Sequence, residues 1–194
     1  MHIEPVTLEG RHVRLEPLER RHVAALWRAG SDPGIWTWFP WRIDCEEAMG
    51  VLVARGLAAR AAGEVLPFVQ VWKASGEVYG STSYLAIDAG NRRLEIGSTW
   101  LAPAFQRTPA NTEAKLLLLG HAFDTLGCNR VEFKTDINNT RSRAAILRLG
   151  AVQEGIFRAH MLRPDGSLRD SVYYSIVRAE WPTVRERLLR RLGS

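Results

Sequence analysis

Residues 94–126 read LEIGSTWLAPAFQRTPANTEAKLLLLGHAFDTL, and the rest of the chain is organised around them. The stretch predicts a strand ending near Leu101, a short Pro-bounded turn, and a strongly apolar helix. In the turn, Thr108 suits an N-cap and Pro109 the first helical position, because the N–H that proline lacks would have had no intrahelical partner. The amides of Ala110, Asn111 and Thr112 are then expected to point out of the helix start. There the positive end of the helix dipole, with Arg107 beside it, suits a phosphate or pyrophosphate. Many helices begin this way without binding anything, so the turn taken alone leaves a purely structural role open.

Upstream, Val13, Leu15 and Leu18 sit among charged neighbours and predict a half-buried strand within Val6–Leu18. A helix follows over Glu19–Ala29 and stops at Ser31-Asp32-Pro33-Gly34. Ile35 to Trp41 reads IWTWFPW, a heavy aromatic load for a connection. These rings either plug the core from a loop or wall an acceptor pocket with Trp36, Trp38 and Trp41. Asp44 is expected to cap a helix running to about Ala62. Leu66–Trp72, Val78–Ile87 and Arg93–Leu101 then read as a three-strand meander. Downstream come a strand over Arg130–Thr135, a helix over Asn139–Leu149, strands over Ile156–Leu162 and Leu168–Val177 joined by a Pro164-Asp165-Gly166 turn, and a helix from about Glu180 to Leu192 with arginines on its outer faces.

Length and composition bound what this arrangement can be. With 194 residues and 46% hydrophobic content, the chain suits one domain spanning 1–194 with a sizeable core. A net charge of +5 and a pI near 9.7 favour anionic partners such as nucleotide phosphates or ribosomal surfaces, without choosing among them. Cys45 and Cys128 are too few and too far apart for a disulfide framework or zinc site. No paired ligand spacing is visible among His2, His12, His22 and His121, so no metal is expected. No leader or membrane-spanning stretch is read, and a soluble, cytoplasmic protein is expected.

The ordered set EIGSTWLAPAFQ, NTEAKLLLLGHAF, RVEFKTD with Asn139-Thr140-Arg141-Ser142-Arg143-Ala144-Ala145, LGAVQEG and YSIVRAEWP resembles the GNAT acetyltransferase superfamily, specifically its RimJ/RimL-type ribosomal-protein N-terminal acetyltransferases. The resemblance runs from about Val6 to Pro182. It implies an α+β (α/β GNAT) fold: a mixed, mostly antiparallel sheet of about seven strands, flanked by helices and splayed apart between the Arg93–Leu101 and Arg130–Thr135 strands. Acetyl-CoA would lie in that split, its pantetheine pairing along Trp100 and Leu101, its pyrophosphate on the Gln106–Thr112 turn. By the same resemblance Asn139 would hold the pantetheine, although a plain helix N-cap is the alternative. Ser142, one helical turn on, would hydrogen-bond or protonate the leaving sulfur. One departure stands out: Pro109 and Asn111 occupy the turn's two usual glycine positions, and Pro109 has no N–H and cannot take left-handed dihedrals. The N-cap geometry at Thr108 is expected to replace the missing donor.

Direct acetyl transfer needs a neutral amine, a polarised carbonyl and a proton for the departing thiolate. An α-amino group, with a pKa near 8, is a cheaper nucleophile than lysine, which favours the N-terminus of a protein as acceptor. Glu95 is one candidate base, projecting from the face opposite Leu94 and Ile96; a solvated or salt-bridged strand carboxylate is its plainer reading. His160 is the other, at a strand position where similar enzymes carry an acid–base residue. A small amine, antibiotic or polyamine, held by the Trp36, Trp38 and Trp41 wall is the competing enzymatic reading. A non-catalytic CoA- or nucleic-acid-binding module is the third. No membrane partner is expected, nucleic acid enters only through a ribosomal substrate, and a homodimer is compatible with all three.

Overall fold

Short alternating runs separated by turn residues assemble into one eight-stranded sheet. The computed structural model describes residues 1–163 and 165–193, so Pro164 of the expected turn lies outside the described residues. The strands are β1 (Leu8–Glu9), β2 (Val13–Pro17), β3 (Leu66–Trp72), β4 (Glu77–Asp88), β5 (Arg93–Leu101), β6 (Arg130–Asp136), β7 (Val152–Leu162) and β8 (Leu168–Val177). Their spatial order is β1-β2-β3-β4-β5-β6-β8-β7. Every neighbouring pair is antiparallel except β5 and β6.

The helices are α1 (Val23–Ala29), α2 (Glu46–Ala61), α3 (Pro109–Gly120), α4 (Thr140–Leu149) and α5 (Trp181–Leu192). Successive strand residues point to opposite faces, so β3 feeds two cores. Phe68 joins Tyr84, Leu94, Ile96, Leu118 and Leu188 under α3 and α5. Its neighbour Val69 joins Leu26, Met49, Val53 and Trp100 under α1 and α2. The crossover that makes β5 and β6 parallel is α3, which ends in a π-turn over His121–Thr125.

Several boundaries differ from the sequence reading. The expected first strand is a hairpin, because the chain turns back at Gly10, whose amide donates to the Val13 carbonyl at 2.8 Å. That adds β1 and makes eight strands rather than about seven. The hairpin is held from afar: the Glu113 carboxylate, on α3, accepts from the amides of Arg11, His12 and Val13 at 2.8, 2.8 and 2.6 Å. A Cβ at Gly10 would come within 2.6 Å of that carboxyl carbon, so glycine is needed there. Cys45, not Asp44, occupies the N-cap position of α2, with no side-chain cap bond. The first helix is shorter than expected, with a 3-10 turn over Arg20–His22 before α1, and the aromatic loop contains a 3-10 turn over Pro33–Trp38.

Candidate active site at the fork between two parallel strands

Strands β5 and β6 pair only through Arg93, Leu94 and Glu95 against Arg130, Val131 and Glu132. Beyond Glu95 they part, and the fork between Ile96–Leu101 and Phe133–Asp136 is the splayed opening that the resemblance implies. The start of α3 lies on one side of the sheet at this fork; the loop between α1 and α2 covers the other.

On the α3 side, Thr108 caps the helix as expected. Its Oγ1 accepts from the Ala110 amide at 3.2 Å and donates to the Phe105 carbonyl at 2.7 Å. This corrects the set of free amides. Ala110 is buried with its N–H satisfied, and in a helix the N-cap carbonyl accepts the first intrahelical bond, which here falls to the Thr112 amide. Asn111 alone of the three keeps an orphan position. The side chains of Asn111 and Thr112 line a crevice with Ala145, Arg148 and Leu188 of α4 and α5. The amides of Arg107 and Thr108, one step upstream, make no hydrogen bond among the described residues. Arg107 is exposed and left-handed at φ 63°, a conformation costing a non-glycine residue about 1 kcal/mol or more. The strained residue is therefore Arg107, not either residue at the usual glycine positions.

The strand edge beside this turn is less open than expected. The Leu101 carbonyl accepts from Gln106 Nε2 at 3.2 Å, while Gln106 Oε1 accepts from Arg141 at 2.9 Å. The Trp100 carbonyl faces β4 and accepts from Gln70 Nε2 at 3.2 Å. A ligand chain pairing along Trp100 and Leu101 must therefore share or displace the Gln106 amide. At α4, Asn139 is the N-cap: its Oδ1 accepts from the Ser142 amide at 3.0 Å. The Ser142 hydroxyl is half-buried and makes no hydrogen bond among the described residues.

On the opposite face, the side chains of Glu95, Lys134 and Tyr173 share one surface. Glu95 is buried, 4% exposed, and its carboxylate meets Lys134 Nζ at 3.2 Å. It lies over Gly97, where a Cβ would come within 2.7 Å of Oε1. Burial pushes the Glu95 carboxyl up while the Lys134 ammonium pulls it down. His160, on β7, is half-buried; its Nδ1 lies 3.0 Å from Ser171 Oγ and its Nε2 3.5 Å from the Tyr173 hydroxyl. Burial lowers its pKa below the usual imidazole value, and the charges of Lys134 and Arg169 lower it further. An imidazole whose pKa is lowered in this way favours its neutral form near pH 7.

The aromatic loop divides in two. Trp36 does not wall a pocket: it is 4% exposed, donates from Nε1 to the Gly30 carbonyl at 2.8 Å and packs 5.1 Å from the Trp100 ring. Trp41 packs behind Phe39, ring centroids 5.4 Å apart. Only Trp38 of the three lines the cleft that this loop forms with Asp136, Leu162, Arg163 and Arg169.

A buried polar cluster sits beneath the fork and carried no sequence signal. Ser83 pairs with Gly97 but Ser81 with Trp100, so β5 bulges at Ser98, which is left-handed at φ 48°. Thr82 and Thr99 join hydroxyls at 2.8 Å under this bulge, and Lys115 of α3 donates to them at 3.2 and 2.7 Å. Full burial lowers the Lys115 pKa to about 7. Among the described residues no three His, Cys, Asp or Glu side chains gather into a metal-binding group, and no helix is long and apolar enough to cross a membrane.

A parallel pair that forks midway, with a helix start on one face and acid–base side chains on the other, restricts the families to compare. The family profile described as Acetyltransferase (GNAT) domain matches residues 12–152, which is most of the chain. The chain belongs to the GNAT acetyltransferase family. Among GNAT proteins of known structure, a GCN5-related N-acetyltransferase from Brucella melitensis superposes with a TM-score of 0.90 at 33% identity, over 97% of this chain and 86% of that one. RimJ from Mycobacterium smegmatis, solved in complex with CoA-disulfide, shares the fold at a TM-score of 0.83 and 24% identity, over 97% of this chain and 95% of that one. A curated relative, named "Putative ribosomal N-acetyltransferase YdaF" in Bacillus subtilis (strain 168), is 37% identical over 106 residues, 55% of this chain and 57% of its own length. The match thus spans a little over half of that relative.

Proposed function

We propose that this GNAT protein, acting as one catalytic unit over the whole chain, transfers acetyl from acetyl-CoA to a primary amine, and that the acceptor is the N-terminal α-amine of a protein. The observation that carries the reading is the fork opening just beyond Glu95, with the anion-binding helix start on one face and His160 on the other. Bound acetyl-CoA would supply a thioester whose carbonyl carbon the amine attacks, so that a C–N bond forms, the C–S bond breaks and CoA leaves as the thiol. Arg107, the free amides of Arg107 and Thr108 and the dipole of α3 would hold its pyrophosphate. Asn139 fixes the start of α4 and so aims the Ser142 hydroxyl, which can give a proton to the departing sulfur. His160, neutral near pH 7, accepts the proton of the attacking amine, and Glu95 with Lys134 sets the charge at the base of the fork.

Three considerations support a protein terminus over an enclosed small amine. The cleft beside Trp38 is about 20 Å³, on the scale of a water molecule, so it encloses no whole small amine and admits at most the tip of an acceptor side chain. An α-amine also loses its proton more readily than lysine or a polyamine. The name of the curated relative, "Putative ribosomal N-acetyltransferase YdaF", points the same way. Mass-spectrometric screening of ribosomal-protein N-terminal peptides against small amines tests the acceptor: acetylation of peptides at their first residue is expected, and turnover confined to small amines would overturn it.

Replacing Ser142 or His160 with alanine is expected to lower turnover by about 10-fold or more in each case, the usual loss for a proton-transfer group. Protonation of His160 removes the base, so kcat/KM should fall on the acid side, with a limb below the ordinary histidine value that His160→Ala lacks. Wild-type rates and an unchanged pH profile would remove both residues from the mechanism.

A further inference from the structure

Asp136 is buried, 2% exposed, yet needs no further partner. Its Oδ1 accepts from the Asn138 amide at 2.9 Å and its Oδ2 from Arg163 Nε at 2.9 Å. Arg163 Nη2 also stands 2.9 Å from Oδ2. Arg163 itself is further tied to Ser167 Oγ at 3.1 Å and to the Leu168 carbonyl at 2.7 Å. Nearby, Glu95 has Lys134. Each carboxylate on this face thus has its own cation.

Arg169 is then left over. It is 9% exposed, and its guanidinium comes no closer than 4.0 Å to the Asp136 carboxylate. It makes no hydrogen bond among the described residues, and its buried Nε has no partner. A guanidinium carries five donors in a planar fork that fits a carboxylate bidentately. Burying the Nε donor of such a group without a partner is costly unless something else accepts from it. The cleft into which Arg169 faces, between Trp38, Phe39, Pro40 and Leu162, opens on the acceptor side of the sheet.

We propose that Arg169 is a specificity residue that binds a carboxylate on the acceptor, set back from the amine that receives the acetyl group. On β8, Arg169, Ser171 and Tyr173 alternate onto one face, and two strand residues span about 7 Å. Ser171 contacts His160. A carboxylate on Arg169 therefore stands about two residues of extended chain from the proton acceptor, so an Asp or Glu at the second or third position of an acceptor peptide would reach it. Trp38, Phe39 and Pro40 shield this pair from water, which strengthens a charge-assisted bond. The peptide form of this inference rests on the proposed acceptor; a small amine bearing a carboxylate would satisfy Arg169 by the same chemistry.

Two experiments on the full chain test it. In the first, kcat/KM is measured for peptides that differ only in Asp or Asn, or Glu or Gln, at the second and third positions, beside small amines with and without a carboxylate. The acid is expected to exceed its amide isostere by about 10-fold or more, mainly through KM, and Arg169→Gln should abolish the preference while Arg169→Lys keeps part of it. In the second, the Arg169 Nε–Hε resonance of 15N-arginine-labelled protein, assigned with Arg169→Lys, is followed during titration with an Asp-containing tripeptide and its Asn counterpart. A saturable shift with the Asp peptide alone is expected, and this readout does not depend on turnover. Equal kcat/KM for acid and amide in the wild-type protein, or no selective shift of Arg169, overturns the assignment. Activity on small amines alone, with the acid preference intact, would instead overturn the protein-terminus acceptor and leave Arg169 in its role.

Discussion

Glu113→Ala is expected to lower the unfolding free energy by about 3 to 4 kcal/mol. The carboxylate satisfies the amides of Arg11, His12 and Val13, and an unsatisfied buried donor costs about 1–3 kcal/mol. Arg11 is exposed and His12 half-exposed, so water can reach them after truncation, whereas Val13 is fully buried; the sum therefore falls below three full penalties. For a chain of this size the loss corresponds to a drop of about 10 °C in melting temperature. Glu113→Gln keeps one acceptor and should fall between. Urea denaturation checks this: the midpoint should move down with the slope unchanged, and a loss under about 1 kcal/mol would show that the hairpin is not held by this side chain. The consequence reaches the site, because Glu113 ties β1 and β2 to the first turns of α3, the helix whose start is the proposed pyrophosphate site.

Lys115→Met is expected to stabilise the protein near pH 7, by an amount that shrinks as the pH rises. Lys115 is fully buried with a folded pKa of about 7, against about 10.4 in an unfolded chain. Below pH 7 both states hold the proton, and the folded state bears the whole cost of burying the charge. Between about pH 7 and pH 10 the unfolded chain binds a proton that the folded chain does not, so the wild-type protein gains stability with pH, by up to about 1.4 kcal/mol per unit and about 4 kcal/mol in all. Methionine fills nearly the same volume, and Thr82 and Thr99 still bond each other at 2.8 Å, so the substitution strands no polar group. The check is the difference in unfolding free energy between Lys115→Met and wild type across this range: it should be largest near pH 7 and close toward pH 10. A difference independent of pH would contradict a buried, titrating lysine.

Much of this architecture is legible in the sequence because it is local. Leu66–Trp72, Arg93–Leu101 and Leu168–Val177 were bounded correctly by alternation and flanking turn residues, and the cap at Thr108 followed from its neighbours alone. What the sequence hid depends on contacts between distant residues. Glu113 reads as one more polar residue on an apolar helix until residues 11–13 fold onto it. Trp36 and Trp38 sit two apart in the same loop, and only the meeting of Trp36 with Trp100 sends one into the core and leaves the other at the cleft. The bulge at Ser98 and the left-handed Arg107 occur at residues with no intrinsic preference for such dihedrals, so neither could be seen in the motif. Arg169 looked like any strand arginine in a chain rich in them; that it is buried and unbonded emerges only when β8, β6 and the aromatic loop come together.

The central claim, that the fork and the start of α3 form an acetyl-CoA site despite Pro109 and Asn111, is tested most directly by calorimetric titration of the protein with acetyl-CoA. Saturable binding of one acetyl-CoA per chain is expected, weakened when Arg107 is replaced by alanine. No detectable binding up to about 1 mM cofactor would contradict it.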